Sequence, residues 1–457
     1  MAWGRLRLRA HAGYNRAMRT IRPAEQPDER APVAALSQRD PWLPGILLAG
    51  IALRLLFILI IDPHPSLAGG DVGWYLEVGR RIVTNTQNNP VQSGPIYLVY
   101  AGLVQLIFPD DPVRALRILN IGWHAALIVA VYALGMRYFA SPLGAGPARL
   151  AALAVAVSPA FIIEAGTPLT ESVFLGLMFG ALALYAGSGT HPAPGRMALV
   201  GVLFGLATLT RAVILLFPML IAIHLLRRRG WRGAVRLIGV LALSYTLTVA
   251  TWTVYNLVRW DRFIIGAEGL TAFAWMGATG FTDTQGIDAQ LAQTEGFDAD
   301  NRDPAFIRGI SEAVIGDLPG WIRTRLTNLG EAYLQPHNTV YFPGESLKEL
   351  TQDWLMRDRS LEGLIRLTAG DAFWPKLALY VFHFWALLAG IAGMIVRLRR
   401  DFWPAMPLYG YVAYTTAVHL LLLANPRYLF PLEPIFYLFA AGASLGLVAR
   451  ITRTNPG

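Results

Sequence analysis

The chain has 457 residues, of which 54% are hydrophobic and only 15% charged, with a net charge of +9 and no cysteine. A mean hydropathy of +0.43 means more apolar surface than a soluble fold of this length buries, which excludes a water-soluble globular protein and predicts an all-α polytopic integral membrane protein. Without cysteine there are no disulfides, thiolate metal sites or Cys nucleophile, and the arginines lie beside apolar runs, as anchors at a membrane and not as a nucleic-acid surface.

Residues 1–42 form a basic arm with Arg5, Arg7, Arg9, Arg16, Arg19 and Arg22, read as a cytoplasmic segment held at an anionic leaflet. About ten spans follow, near 43–61, 118–139, 150–163, 169–186, 197–209, 212–226, 237–258, 377–396, 406–423 and 429–449. A cytoplasmic N-terminus then places Arg137, Arg149, Arg196, Arg227, Arg228, Arg229, Arg232, Arg236, Arg397, Arg399, Arg400, Arg450 and Arg453 inside, with the C-terminus also inside. This division gives a transmembrane core over 43–258, a long outer loop over 259–376, and C-terminal spans with a short tail over 377–457.

The apolar run 197–226 needs its own argument, because about 30 residues would make a helix of ~45 Å against a hydrocarbon core of roughly 30 Å. Two short spans meeting at Thr210-Arg211 suit the charge pattern, and they put Arg211 below the outer membrane surface, facing a polar cavity or an anion. The first outer loop, 62–117, contains the acidic and aromatic cluster Gly70-Asp71-Val72-Gly73-Trp74-Tyr75 and two interfacial helices near 74–83 and 96–108. The long outer loop predicts helices near 304–315 and 318–332 and reads as a lid or acceptor platform without a core of its own.

Several charges sit where a membrane protein has little use for them. Asp71 suits either a general base or the N-cap of the helix after it. Glu171, beside Thr170, suits either a site carboxylate or a favourable first-turn charge. Arg211 and Arg427 occupy outer turns against the positive-inside bias, which calls for an anionic ligand or a protein carboxylate such as Glu433 or Glu171. Arg54 and Arg117 are further candidates, with structural roles as the alternative. Trp74, Tyr75 and Tyr428 are aromatics at the outer span ends, placed either as interfacial belt residues or as stacking faces for a ligand. The scattered His64, His124, His337, His383 and His419 show no zinc-site spacing, so no obligatory metal or other cofactor is expected.

The order Asp71 with Tyr75, Pro95-Ile96-Tyr97, Arg117 with Asn120, Leu169-Thr170-Glu171, Gly205 to Arg211, Thr251-Trp252 with Asn256, and Arg427-Tyr428-Leu429-Phe430-Pro431 resembles the polytopic glycosyltransferases of the GT-C fold. It looks closest to the branch of protein O-mannosyltransferases and lipid A aminoarabinose transferases. Two departures stand out: Val72 follows Asp71 where the mannosyltransferases commonly have a second acid, and Gln92-Ser93-Gly94 precedes Pro95 where the aminoarabinose transferases tend to carry charge. The resemblance implies a bundle of about ten spans, and transfer of a sugar from a polyprenyl-phosphate donor to a glycan, lipid or protein hydroxyl outside a bacterial inner membrane. It matches Asp71 to the family's first-loop aspartate, the base. For the lipid-phosphate leaving group it implies, Arg211, Arg427 and Arg117 are by their placement the candidate phosphate contacts, and Glu171 is the candidate second site acid. Trp74 and Tyr75 are the candidate sugar-stacking rings, and Tyr428 is a candidate donor contact. A secondary transporter and a non-catalytic binder of lipid-linked glycans are the alternatives. The absence of paired, repeat-related interrupted spans speaks against the transporter.

Overall fold

The structure, a computed structural model, describes residues 40–65, 71–88, 91, 93–189, 192–267, 269–281, 286–292, 297, 302–342, 344–370 and 372–454. Residues 1–39 of the basic arm, Gly70 and Gln92 lie outside the described residues. Among those described, every regular element is helical. The chain begins with α1 (Trp42–Leu56), continued by a π-helical turn to Ile61, then α2 (Asp71–Val83), α3 (Pro95–Ile107), α4 (Pro112–Leu143), α5 (Gly146–Val157), α6 (Pro159–Gly166), α7 (Thr170–Ala186) and α8 (Pro194–Thr210). After a 3₁₀ turn come α9 (Phe217–Trp260), α10 (Leu270–Thr279), α11 (Ile287–Leu291), α12 (Asp303–Gly316), α13 (Leu318–Leu334), α14 (Leu347–Asp353) and α15 (Leu361–Thr368). The last group is α16 (Phe373–Phe384), α17 (Gly390–Asp401), α18 (Met406–Leu421), α19 (Pro426–Leu429) and α20 (Glu433–Thr454).

By length and composition, Trp42–Ile61, Pro112–Leu143, Ala212–Trp260, Phe373–Arg399 and Pro426–Thr452 are long and apolar enough to cross a membrane, and α5 with α6 adds a sixth if the bent pair counts as one span. The expected count of ten needs shorter helices as well. Those at 169–186 and 197–209 form as α7 and α8, 17 residues each, or ~26 Å. The spans expected at 212–226 and 237–258 join in α9 across a kink at Gly230, whose φ of +65° favours glycine. At Thr210-Arg211 the helix does break, as the charge pattern requires, and Arg211 adopts an extended conformation. α8 then folds back against α9: a Cβ on Gly201 would lie 2.5 Å from Leu241 O, so glycine is what allows the approach.

The span expected at 150–163 bends by 49° at Ser158-Pro159. Pro159 has no N–H, so the Val155 carbonyl loses its helical donor. Arg54, buried in α1, replaces it: Nη2 donates to Val155 O at 3.0 Å, while Nη1 donates to Ala156 O and Gly50 O, both at 2.9 Å. Its Nη2 also lies 3.3 Å from His124 Nδ1, and His124 Nε2 is 3.0 Å from Ser172 Oγ. A guanidinium inside an apolar span is thus explained by the carbonyls of a broken neighbour.

The segment 259–376 holds the helices expected near 304–315 and 318–332 as α12 and α13. Contrary to the expectation, it also has a small apolar cluster of Trp275, Met276, Leu291, Ala305 and Phe306, against which Leu423 packs. Three contacts tie it to the bundle: Arg325 Nη1 donates to Leu422 O at 2.7 Å, His383 Nε2 to Tyr333 O at 2.8 Å, and His337 Nε2 to Glu164 Oε2 at 2.8 Å.

Candidate active site

Four charged residues from four separate parts of the sequence meet at one end of the bundle. Asp71 is in the first turn of α2, Glu171 in the first turn of α7, Arg211 directly follows α8, and Arg427 lies in α19. Each acid therefore sits at a helix start, where unpaired N–H groups favour negative charge, and Arg211 sits at a helix end, where carbonyls favour positive charge.

Glu171 is the hub, and its side chain is fully buried. It accepts from Arg427 Nε at 2.5 Å and Nη2 at 3.4 Å, from Arg211 Nη1, and from Thr170 Oγ1 at 3.1 Å. Arg427 reaches onward to Asp71, with Nη1 donating to Oδ2 at 2.6 Å. Exposure grades outward, from 0% for Glu171 through 12% for Arg211 and 24% for Arg427 to 49% for Asp71. Two carboxylates and two guanidiniums leave the cluster formally neutral, which lowers the cost of its burial.

Aromatic rings enclose it. The Arg211 Cζ lies 5.3 Å from the Tyr428 ring centre and 5.9 Å from that of Phe174, within cation–π range of both. Tyr428 stacks on His419 at 5.5 Å. Tyr75 is buried edge-on to Tyr97 at 5.1 Å, and burial pushes its phenol well above the usual range, so it stays protonated as a donor. Trp74 is 41% exposed and edge-on to Tyr75 at 5.4 Å, presenting an open aromatic face beside Asp71.

The remaining motif residues support the cluster without joining it. Arg117 is wholly buried, and Nη2 pairs with Asp62 at 2.8 Å while Nε donates to Gly166 O at 2.7 Å. Asn120, one turn along α4, donates to Ala165 O and Thr167 O, each at 3.4 Å. Together they satisfy the carbonyls where α6 ends and fix the turn that delivers Thr170 and Glu171. Gly94, before Pro95, abuts α8: a Cβ there would lie 2.2 Å from Leu209 O, so α3 starts against the end that presents Arg211. Likewise, Gly79 and Gly102 let α2 and α3 cross closely, a Cβ on Gly102 being 2.3 Å from Gly79 O. Thr251 and Asn256 bond within α9, to Thr248 O and Trp252 O at 2.8 Å. Glu433 partners His383 at 3.0 Å, leaving Glu171 and Asp71 as the carboxylates on Arg427.

Sequence reading passed over Glu164. It is fully buried in α6 and accepts from His337 at 2.8 Å and Asn338 at 3.4 Å through Oε2. The available signal was an acid within the apolar run after Pro159. Among the described residues no three His, Cys, Asp or Glu side chains group as metal ligands.

No family model matches the sequence, and no curated protein matches it. Among solved structures, the chain is similar to an archaeal oligosaccharyltransferase from Archaeoglobus fulgidus in complex with an inhibitory peptide and a dolichol-phosphate, with TM-score 0.51 and 13% identity over 91% of this chain and 52% of that one. The apo form of the Archaeoglobus fulgidus enzyme gives TM-score 0.53 at 13% identity, with the same coverage. ArnT from Cupriavidus metallidurans bound to undecaprenyl phosphate gives TM-score 0.42 at 17% identity over 90% of this chain and 79% of that one. This chain spans about half the length of the oligosaccharyltransferase. The likeness establishes the GT-C fold.

Proposed function

We propose that the protein is a membrane glycosyltransferase that moves a hexose or pentose from a polyprenyl-phosphate donor to an acceptor hydroxyl on the extracytoplasmic face of a bacterial inner membrane. The observation that carries this reading is the cluster of Asp71, Glu171, Arg211 and Arg427, one half-exposed acid beside two arginines held by a buried acid. Asp71 takes the proton of the acceptor hydroxyl as that oxygen bonds to the anomeric carbon. The bond from that carbon to the phosphate oxygen breaks, its electron pair stays on the phosphate, and the anomeric centre inverts. Arg427 and Arg211 stabilise the negative charge gathering on the leaving phosphate, the change that lowers the barrier. Glu171 has its oxygens committed to guanidinium and hydroxyl donors, so its role is to aim both arginines. Arg117 acts one step further back, through the turn at Gly166. Trp74 offers a sugar-stacking face, and the acceptor, whether glycan, lipid or protein, approaches from the side of Asp71.

The purified protein in detergent, given a panel of labelled polyprenyl-phosphate sugars with candidate acceptors, releases polyprenyl phosphate. Asp71→Asn lowers that rate by about 10²-fold or more. Solute uptake into sealed vesicles without donor cleavage would replace this reading with a transporter. Unchanged turnover in Asp71→Asn would remove Asp71 as base.

A further inference from the structure

The proposed reaction makes two demands on Arg427 and Asp71 that their contact does not meet. Inverting displacement puts the base and the leaving group on opposite faces of the sugar. In inverting enzymes that use paired carboxylates, such opposed groups stand about 6.5–9.5 Å apart, with the reacting centre between them. Here the Asp71 carboxylate is on Arg427 Nη1 at 2.6 Å, a separation that admits no sugar ring. The same nitrogen is the outermost donor of the arginine assigned to the phosphate, whose Nε and Nη2 are already held by Glu171.

We propose that Asp71 acts as a placeholder on Arg427: the donor phosphate displaces it from Nη1, and only then does the carboxylate turn to the acceptor as base. The hierarchy of contacts supports the order of exchange. Glu171 is buried and held by several donors, whereas Asp71 is 49% exposed and, among the described residues, its one ion pair is to Arg427, so an incoming anion displaces Asp71 first. The cycle closes by charge. After transfer Asp71 carries the acceptor proton and is neutral, while the phosphate has gone from a diester with one negative charge to a monoester carrying about 1.5–2. Product is therefore held until Asp71 loses that proton, returns to Arg427 and competes for Nη1. One side chain thereby couples donor entry, base release and product exit.

The inference rests on the proposed function, and a binding measurement separates the two because it needs no turnover. Undecaprenyl phosphate is titrated against the purified full chain and against Asp71→Asn, which removes the competing charge with little change of shape, and each protein's unfolding midpoint is recorded alongside. The variant binds about twofold to fivefold tighter, the scale of a partly exposed ion pair removed from competition, and releases the ligand more slowly. Asp71→Glu, keeping the charge, binds as the wild type does. Equal or weaker binding by a folded Asp71→Asn protein overturns the placeholder role and leaves the transferase reading standing. Binding by neither protein overturns both.

Discussion

Glu171→Gln tests whether the buried acid aims the arginines. Glutamine keeps the shape and one carbonyl acceptor for Arg211 and Arg427, but it removes the charge and sets an NH₂ group where Oε2 now accepts from Thr170 and Arg427. Two guanidiniums, 12% and 24% exposed, are left with Asp71 as the carboxylate of the cluster, and it touches Arg427. Breaking a buried ion pair costs about 3–5 kcal/mol, and the retained acceptor recovers on the order of 1. Partial access of both arginines to water favours the lower end, so the expected loss is about 2–3 kcal/mol. Unfolding of the detergent-solubilised protein in SDS mixed micelles reads it. Added undecaprenyl phosphate then stabilises the variant more than the wild type, because an anion again faces the two cations, and the gain grows as the logarithm of ligand over Kd. A variant as stable as the wild type, with no larger response to the lipid, would show that the arginines do not depend on Glu171, and the clamp would have to be abandoned.

Arg54→Met strands the Val155 and Ala156 carbonyls and lowers stability by about 2–4 kcal/mol in the same assay, whereas the folded fraction keeps its specific activity; a variant of full stability would mean other donors reach the break at Pro159. Gly79→Ala introduces a Cβ 2.4 Å from Leu98 O and 2.9 Å from Gly102 N. Forcing α2 off α3 costs roughly 1–3 kcal/mol and moves Asp71, so the transfer rate falls while affinity for undecaprenyl phosphate does not. Unchanged initial rates would show that this crossing does not set the position of Asp71.

Local features of the chain are legible in its sequence, and long-range pairings are not. Hydropathy and arginine placement are properties of single segments, and they located the turn at Thr210-Arg211 and the first-loop helices. Partner choice is a long-range property with no period to read. Arg427 had both Glu171 and Glu433 as candidates, and the 3₁₀ turn Phe430–Leu432 decides between them by rotating Glu433 toward His383. Span counting diverges for a related reason: among the described residues five or six spans qualify by length and composition, against about ten expected. Length alone makes α7 and α8 marginal, and a kink such as Gly230 joins what hydropathy divides. The break in 150–163, expected as one span, has its signal in Ser158-Pro159, since a residue before proline avoids helical geometry. That Arg54 was its counterpart was not legible, because the two lie about a hundred residues apart in sequence.

Why the charges occur at helix ends then has a physical answer. A carboxylate in mid-span would need its counter-ion carried with it through every step. Asp71 and Glu171 instead lie in the first turns of α2 and α7, and Arg211 directly follows α8, so fixed peptide dipoles carry part of the cost of ionisation. Those dipoles do not move when one anion replaces another on Arg427. Exchange of Asp71 for a phosphate thus alters one contact at the rim of the cluster and leaves the buried half, Glu171 with Arg211, in place. This separation of a fixed interior from an exchangeable outer acid lets the site change its anion during each turnover without repacking the helices around it.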